Sequence, residues 1–462
     1  MIPLSARART YLRENDWTPL LALTEATTDE AERFREAAAS LSTSLQRDLG
    51  LRQGPLQTEP FGGSIRIRAT GISGTLRVGH LTLDVAPKFI EPGTAHASWQ
   101  RSLFNILGRT RNSRLSYSRA SHLSKSPLSF VDHLALAYLD ALETGLATEP
   151  IHTYSLREDR LPVLRGRLNI QRQLASLFDR PHLLECDFDE LNTDNAFNHL
   201  LRWACARLAL LVRDTVTRSR LQAMGWLLPG ISGLPRPPSQ LPLVVPPQYR
   251  AWSEAIDIAS LIAVGKSHSL RRGLMSGYGL ILGMERVFEE FVESTVSQAV
   301  RLLAIPALDV RRQDTTPYAE PTQPGMRRYY TRPDNVVYRE GEPALVVDAK
   351  YKKLAEAEEG LLKKPRNSDV YQLVGSMTAH ACHRGLLLYP KIAGDVDLGD
   401  GRLRTWLVDA FDETLTIGAL ALDLTDVQTA GDLRRLDERI AELLARSLQV
   451  ERNTNRVSSR SA

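Results

Sequence analysis

Cysteine is scarce in this 462-residue chain: Cys186, Cys205 and Cys382 are far apart and odd in number. That excludes a disulfide framework and a cysteine-rich zinc site, and a reducing cytoplasm fits best. Long apolar runs are missing as well. No window of about 18 apolar residues occurs, and the N-terminal MIPLSARARTYLREND carries arginines without an apolar leader segment. The expectation is a cytoplasmic protein that is neither exported nor membrane-spanning. Neither sign of charge dominates, since 58 Lys plus Arg against 54 Asp plus Glu leave a net charge of +4. Over such a length this is too little to argue by itself for a nucleic-acid or membrane partner. The hydrophobic fraction, 43 %, is that of an ordinary globular protein, and the length predicts roughly three domains at about 150 residues each.

The periodicity changes along the chain. Residues 28–48, rich in Ala, Glu and Arg with apolar residues near helical spacing, predict an early helix. Residues 64–70, 75–78 and 81–85 alternate apolar with polar residues between glycines and predict a small antiparallel meander ending at Pro87-Lys88. From about Ala95 the pattern reads as helical for some 200 residues, at 99–107, 130–146, 195–212, 251–264 and 279–302. Seven prolines in residues 228–247 forbid regular helix there and predict an extended connection. Beyond Arg301, strands are expected at 327–338, 344–350, 385–389 and 403–411, with helices at 368–380 and 431–448 and a polar tail behind. The fold expected is a multidomain α+β and α/β chain. Its parts are an N-terminal helix and meander (1–93), a helical middle (94–270), an α/β core (271–425) and a C-terminal helix with its tail (426–462).

The stretch that carries chemistry is TRPDNVVYREGEPALVVDAKYKK, residues 331–353. Residues two apart on a strand face the same side, so Asp348 and Lys350 project together, and a hairpin turn at Glu340-Gly341-Glu342 folds Asp334 back beside them. Two carboxylates about 4 Å apart repel by roughly 4 kcal/mol at an effective dielectric of 20, so Asp334 and Asp348 should share a proton or hold a cation. Mg²⁺ suits an all-oxygen site built from the two carboxylates and the Ala349 carbonyl, completed by water. Lys350 can then position or help deprotonate an attacking water and offset charge on phosphorus, which is phosphodiester hydrolysis. The bland alternative is an edge hairpin whose Asp and Lys form a surface ion pair. The setting argues against it: VVDAK sits on an apolar strand, a preceding helix offers Glu285, Glu289 and Glu290, and the α-β-β-α-β order places a PD-(D/E)xK pattern where such nucleases carry it.

Those residues, with LRGRLNI (164–170), DFDELNTDNAFNHLLRWA (187–204), LPGISGL (228–234), VFEEFV (287–292), DVYQLVGSM (369–377) and RGLLLYP (384–390), make the chain resemble McrC over about residues 95–420. McrC is the nuclease subunit of the 5-methylcytosine-dependent McrBC restriction system. The resemblance implies a restriction-endonuclease-like α/β core at 271–425, a partner-docking middle at 94–270, and a PD-(D/E)xK endonuclease acting on double-stranded DNA in complex with a McrB-like AAA+ GTPase, a hexameric ring whose hydrolysis it stimulates. It also implies Asp334, Asp348 and Lys350 as catalytic residues, Glu289 as a further metal-binding carboxylate and Gln372 as an orienting group. Roughly the first 90 residues exceed the shortest family members.

Other signals carry less. Val264-Gly265-Lys266-Ser267 resembles the end of a phosphate-binding loop, but Ser260 stands where the upstream glycine is required. His380, Cys382 and His383 have no second ligand cluster, so packing is the expectation. Residues 101–126 hold five Arg and one Lys with no acid, and Arg452, Arg456 and Arg460 follow in the tail, leaving the remainder of the chain slightly acidic. That balance fits a dependent subunit better than a self-sufficient DNA binder. Two alternatives stay open: an idle nuclease fold kept to activate the AAA+ partner, and a stand-alone repair nuclease.

Overall fold

The computed structural model describes residues 2–3, 9–18, 21–22, 28–61, 64–78, 81–90, 96–110, 130–176, 182–212, 214–239, 241, 243–264, 278–323, 325–354, 364–392, 403–410, 413–425 and 427–449. Most of the basic segment 101–126, residues 265–267 and the tail arginines lie outside them. Two compact units emerge, Met1–Phe130 with Gly265–Ala462, and Val131–Val264. The architecture is mixed α+β, with several sheets and ten α-helices among the described residues.

In the larger unit the helix Thr28–Leu49 forms where expected. Phe34, Ala38, Leu41 and Leu45, at three- and four-residue steps, bury against Ile65, Ile67, Leu76 and Leu83. The single meander expected after it is instead divided between two sheets. Ser64–Ala69 pairs with Leu56–Phe61 and Leu21–Ala22. Ile72–Val78 pairs with Leu81–Ala86, and these two are flanked by Tyr278–Gly283 and Arg9–Arg13. Alternation marks a strand but not its partner, and Leu81–Ala86 is buried along its whole length, so it needs neighbours that a three-stranded meander does not supply. Residues 278–283, expected to be helical, are one of those neighbours: YGLILG is a short apolar run that periodicity cannot assign by itself.

The second half of this unit is a six-stranded sheet in the order Leu308–Arg312, Asn335–Arg339, Glu342–Ala349, Arg384–Pro390, Glu413–Leu422, Arg404–Ala410. Its three central strands, from Glu342–Ala349 to Glu413–Leu422, are parallel. The strands Leu308–Arg312 and Glu413–Leu422 are absent from the sequence expectation. The turn joining Asn335–Arg339 to Glu342–Ala349 is two residues long, with Glu340 at φ +55° and Gly341 at φ +90°, the left-handed pair that matches strand twist. Helix Asn367–Ala379 crosses over between Glu342–Ala349 and Arg384–Pro390. Its Leu373 and Met377 pack on Val346, Leu387 and Tyr389, so closely that a Cβ on Gly385 would stand 2.5 Å from Met377 Sδ. The amphipathic helix Met284–Leu303 packs against strands of this sheet and against Ala430–Gln449.

The smaller unit is helical, as expected, in Phe130–Leu146, Ala196–Leu211 and Ser253–Val264, and it adds a helix the sequence reading did not single out, Thr215–Leu227. Described residues between 228 and 246 form neither helix nor strand. The expectation of an all-helical middle fails between residues 153 and 192. There Thr153–Leu161, Leu184–Asn192 and Arg167–Leu168 form an antiparallel sheet. Thr153–Leu161 is exposed over most of its length, so it lacks the apolar alternation by which half-buried strands are recognised.

Candidate active site

The parallel strand Glu342–Ala349 ends at Asp348-Ala349-Lys350, and ligand sites in such sheets form outside the carboxyl ends of the strands. The pairing of Asn335 with Val347 puts Asp334 opposite Asp348. Ala349 N–H donates to Asp334 Oδ2 at 2.7 Å. Asp348, 5 % exposed, pairs through Oδ2 with Lys350 Nζ, yet that buried oxygen accepts no well-directed hydrogen bond. Lys350 Nζ also donates to Gln372 Oε1 at 3.0 Å, across from helix Asn367–Ala379. The backbone fixes the lysine in turn: Lys350 N–H bonds Leu388 O at 2.8 Å, extending the parallel ladder by one residue.

The electrostatics follow from this crowding. Burial, and then the charge of Asp348, push the Asp334 carboxyl well above the usual carboxylate range, against the pull of the Ala349 N–H. Burial, with Glu285 and Asp348 nearby, raises Glu289 to about 7. A cavity of about 370 Å³ opens beside Glu289, lined also by Glu285, Arg286, Glu290, Gln313 and Arg332. Like charges are thus gathered in a half-desolvated site with one lysine among them.

All five side chains singled out in the sequence fall in this region. Asp334, Asp348, Lys350 and Gln372 are linked by register or direct contact, whereas Glu289 lies within electrostatic reach of the aspartates. Among the described residues no three His, Cys, Asp or Glu side chains form a metal-ligand cluster on their own. The donor set is therefore two carboxylates with the Ala349 backbone beside them. Such an all-oxygen set, with a buried carboxylate oxygen lacking a directed donor, fits a hard cation that retains several waters. His380 instead bonds Ser376 O and Thr316 Oγ1 and Cys382 is buried, in keeping with packing.

Sequence reasoning missed the groups that brace the segment after Lys350. Lys352 pairs with Asp369, which accepts from Tyr389 OH at 2.9 Å. Tyr351 OH donates to Glu14 Oε2 at 2.6 Å, and Lys88 Nζ donates to Tyr351 O at 2.8 Å. Pro87-Lys88 was visible only as the end of a strand, and no spacing rule connects positions so far apart in the chain.

A family model described as "McrBC 5-methylcytosine restriction system component" matches residues 67–390. The chain is similar in structure to a half-complex from a tetradecameric assembly of Thermococcus gammatolerans McrB AAA+ hexamers with bound McrC. The TM-score is 0.59 at 16 % identity, covering 95 % of this chain and 100 % of that one. A second structure, the Thermococcus gammatolerans McrBC complex, aligns at TM-score 0.45 and 15 % identity over 63 % of this chain and 88 % of that one. No curated protein matches the sequence. No helix among the described residues is long and apolar enough to cross a membrane.

Proposed function

Because the chain belongs to the family of McrBC 5-methylcytosine restriction system components, we propose that it is the McrC-like nuclease subunit of such a system. In this reading it cuts double-stranded DNA in complex with a McrB-like AAA+ GTPase ring and stimulates that ring's hydrolysis. The observation that carries the reading is the meeting of Asp334, Asp348 and Lys350 at the carboxyl end of a parallel strand. The strands and helices around them, Met284–Leu303, the hairpin 335–349, Asn367–Ala379 and Arg384–Pro390, then constitute a restriction-endonuclease-like core. The structural neighbour with McrB AAA+ hexamers supports the choice of partner.

Asp334, Asp348 and the Ala349 carbonyl would hold Mg²⁺, with Glu289 as a further carboxylate for it; the ion would relieve the carboxylate repulsion and polarise the phosphoryl group. Lys350, steadied by Gln372 and Asp348, presents a cation where negative charge builds on phosphorus. Glu289, raised to about 7, can take up or release a proton near neutral pH. The slight acidity of the chain outside its basic segments suits a subunit to which the ring delivers DNA.

The test is copurification with the neighbouring AAA+ protein, followed by cleavage of methylated and unmethylated DNA with Mg²⁺ and GTP or ATP. Wild-type complex should break methylated DNA, and the Asp348→Asn complex should assemble but not cut. Equal cutting by Asp348→Asn would overturn the site. Nucleotide turnover without strand breaks would favour the idle-activator reading.

A further inference from the structure

We infer that Lys88, in the N-terminal half of the larger unit, is a positioning residue for the proposed catalytic Lys350, acting through the backbone of Tyr351. The inference rests on the nuclease reading above. Tyr351 is the first residue to leave the sheet after Lys350, and it is gripped on several sides. Lys88 Nζ holds its carbonyl at 2.8 Å and sits 3.6 Å from its ring centroid. Glu14 accepts from its hydroxyl at 2.6 Å. The ring of Phe288, adjacent to Glu289 in the chain, lies 5.8 Å away, centroid to centroid. One tyrosine therefore joins the strand of Lys350, the helix of Glu289 and the N-terminal sheets.

Glu14 is fixed independently of the strand end. It accepts from Gly71 N–H at 2.8 Å and Lys88 N–H at 3.2 Å, and its Oε1 lies 3.8 Å from Lys88 Nζ. Lys88 and Glu14 are 8 % and 1 % exposed at the side chain. Burial lowers the lysine pKa, and Glu14, the next influence, opposes that shift. A buried ion pair is a poor means of stabilisation, since apolar residues of similar volume commonly do as well or better. What the charged pair adds is direction: an ammonium fixes a carbonyl oxygen at one place, whereas packing alone lets a strand end slide. A displacement of about 1 Å at a catalytic group can cost about 10²-fold in rate, so the position of the Tyr351 carbonyl bears directly on Lys350.

The test uses the complex with the AAA+ partner and single-turnover DNA cleavage at saturating metal. Lys88→Met should lower the cleavage rate constant by about tenfold or more, with the DNA concentration giving half-maximal rate unchanged and the complex still assembling. Amide exchange over residues 349–353 should quicken in the same variant. Lys88→Arg, which restores a cation, should recover most of the rate. The double variant Lys88→Met/Glu14→Gln removes both buried charges together, so no unpaired ion is left in the fold, and the assembled complex should still cut slowly. A double variant that is stable and fully active would overturn the inference, as would a loss in Lys88→Met matched by an equal loss of assembled complex. If wild type cuts and Lys88→Met cuts equally, the inference alone fails. If wild type cuts no DNA under any metal, the nuclease reading fails and this role falls with it.

Discussion

Two antiparallel hairpins of this chain handle charge in opposite ways. Asn335–Arg339 with Glu342–Ala349 gathers like charges at a buried end, Asp334 against Asp348 with Glu289 in reach, and burial first, then these neighbouring charges, raises the pKa of Asp334 and of Glu289. Thr153–Leu161 with Leu184–Asn192 sets opposite charges across from or beside each other. Arg160 faces and pairs with Glu185, Arg157 pairs with Glu190, and Arg172 reaches Glu158 and Asp187. In the second arrangement Glu158, Glu185, Asp187 and Glu190 each have an arginine counter-ion on the protein. The first has one lysine, Lys350, paired with Asp348, and leaves Asp334 against that carboxylate without a counter-ion of its own among the described residues. Surplus buried charge of one sign is the physical mark of a site as opposed to a structural ion pair.

The largest effect should come from removing one charge in each hairpin. Asp334→Asn keeps an acceptor for the Ala349 N–H while deleting the repulsion. Cleavage should fall by about 10³-fold or more, as for loss of a group that stabilises developing charge, yet the metal-free protein should melt at or above the wild-type temperature. Glu185→Gln should do the reverse, lowering the melting temperature because Arg160 and Arg172 lose their buried partner, with cleavage by the assembled complex retained. Equal destabilisation by the two variants would break the comparison, since Asp334 would then be an ordinary structural residue.

A smaller effect is the dependence of stability on pH. Glu289 titrates near 7 in the fold, against 4.5 for an ordinary glutamate, and Asp334 is shifted in the same direction. Well below pH 4.5 Glu289 is protonated in both states and neutral in the balance. As pH rises, the unfolded chain ionises first while the fold keeps its protons, so stability is lost between about pH 4.5 and 7 through Glu289, and Asp334 adds a loss of the same sign. Metal-free protein should therefore melt lower at pH 8 than at pH 5.5, and Mg²⁺ should raise the melting temperature more at pH 8. Calorimetry at both pH values checks this. A Mg²⁺ effect that is equal at both, or absent, would show that no cation relieves the crowding.

How much of this was legible in the sequence differs between the same two hairpins. The turn at Glu340-Gly341, the apolar run before Asp348 and the two-residue step to Lys350 are local signals, and each reappears as structure. The hairpin at 153–192 left no such trace: TYSLREDRL gains its strand conformation from ion pairs and hydrogen bonds with a distant partner, not from a buried face. Partner choice was equally invisible elsewhere. Residues 64–86 read correctly as strands, but their division between two sheets depends on Arg9–Arg13 and Tyr278–Gly283, and the clamp of Lys88 on Tyr351 depends on a contact across most of the chain. Local periodicity encodes conformation, whereas tertiary pairing is encoded in surfaces that only the fold brings together.

The smallest effects test whether the exposed hairpin is as self-contained as its pairings suggest. Arg172 touches three carboxylates and the Cys186 carbonyl, one of the acids being the buried Glu185. Arg172→Ala leaves that carboxylate with Arg160 alone, so a loss of about 1–3 kcal/mol is expected, as for a buried polar group left short of a partner. Arg157 is exposed and pairs with Glu190, a residue that Arg165 also approaches, at 3.6 Å. Arg157→Ala should leave the melting temperature unchanged, because solvent and salt screen an exposed pair and a second arginine stands in reserve. Chemical denaturation of both variants at low and at high salt reads the difference. Arg172→Ala should remain destabilised at high salt, since its partner is desolvated, while a clear loss in Arg157→Ala would show that this hairpin depends on every one of its ion pairs and has none to spare.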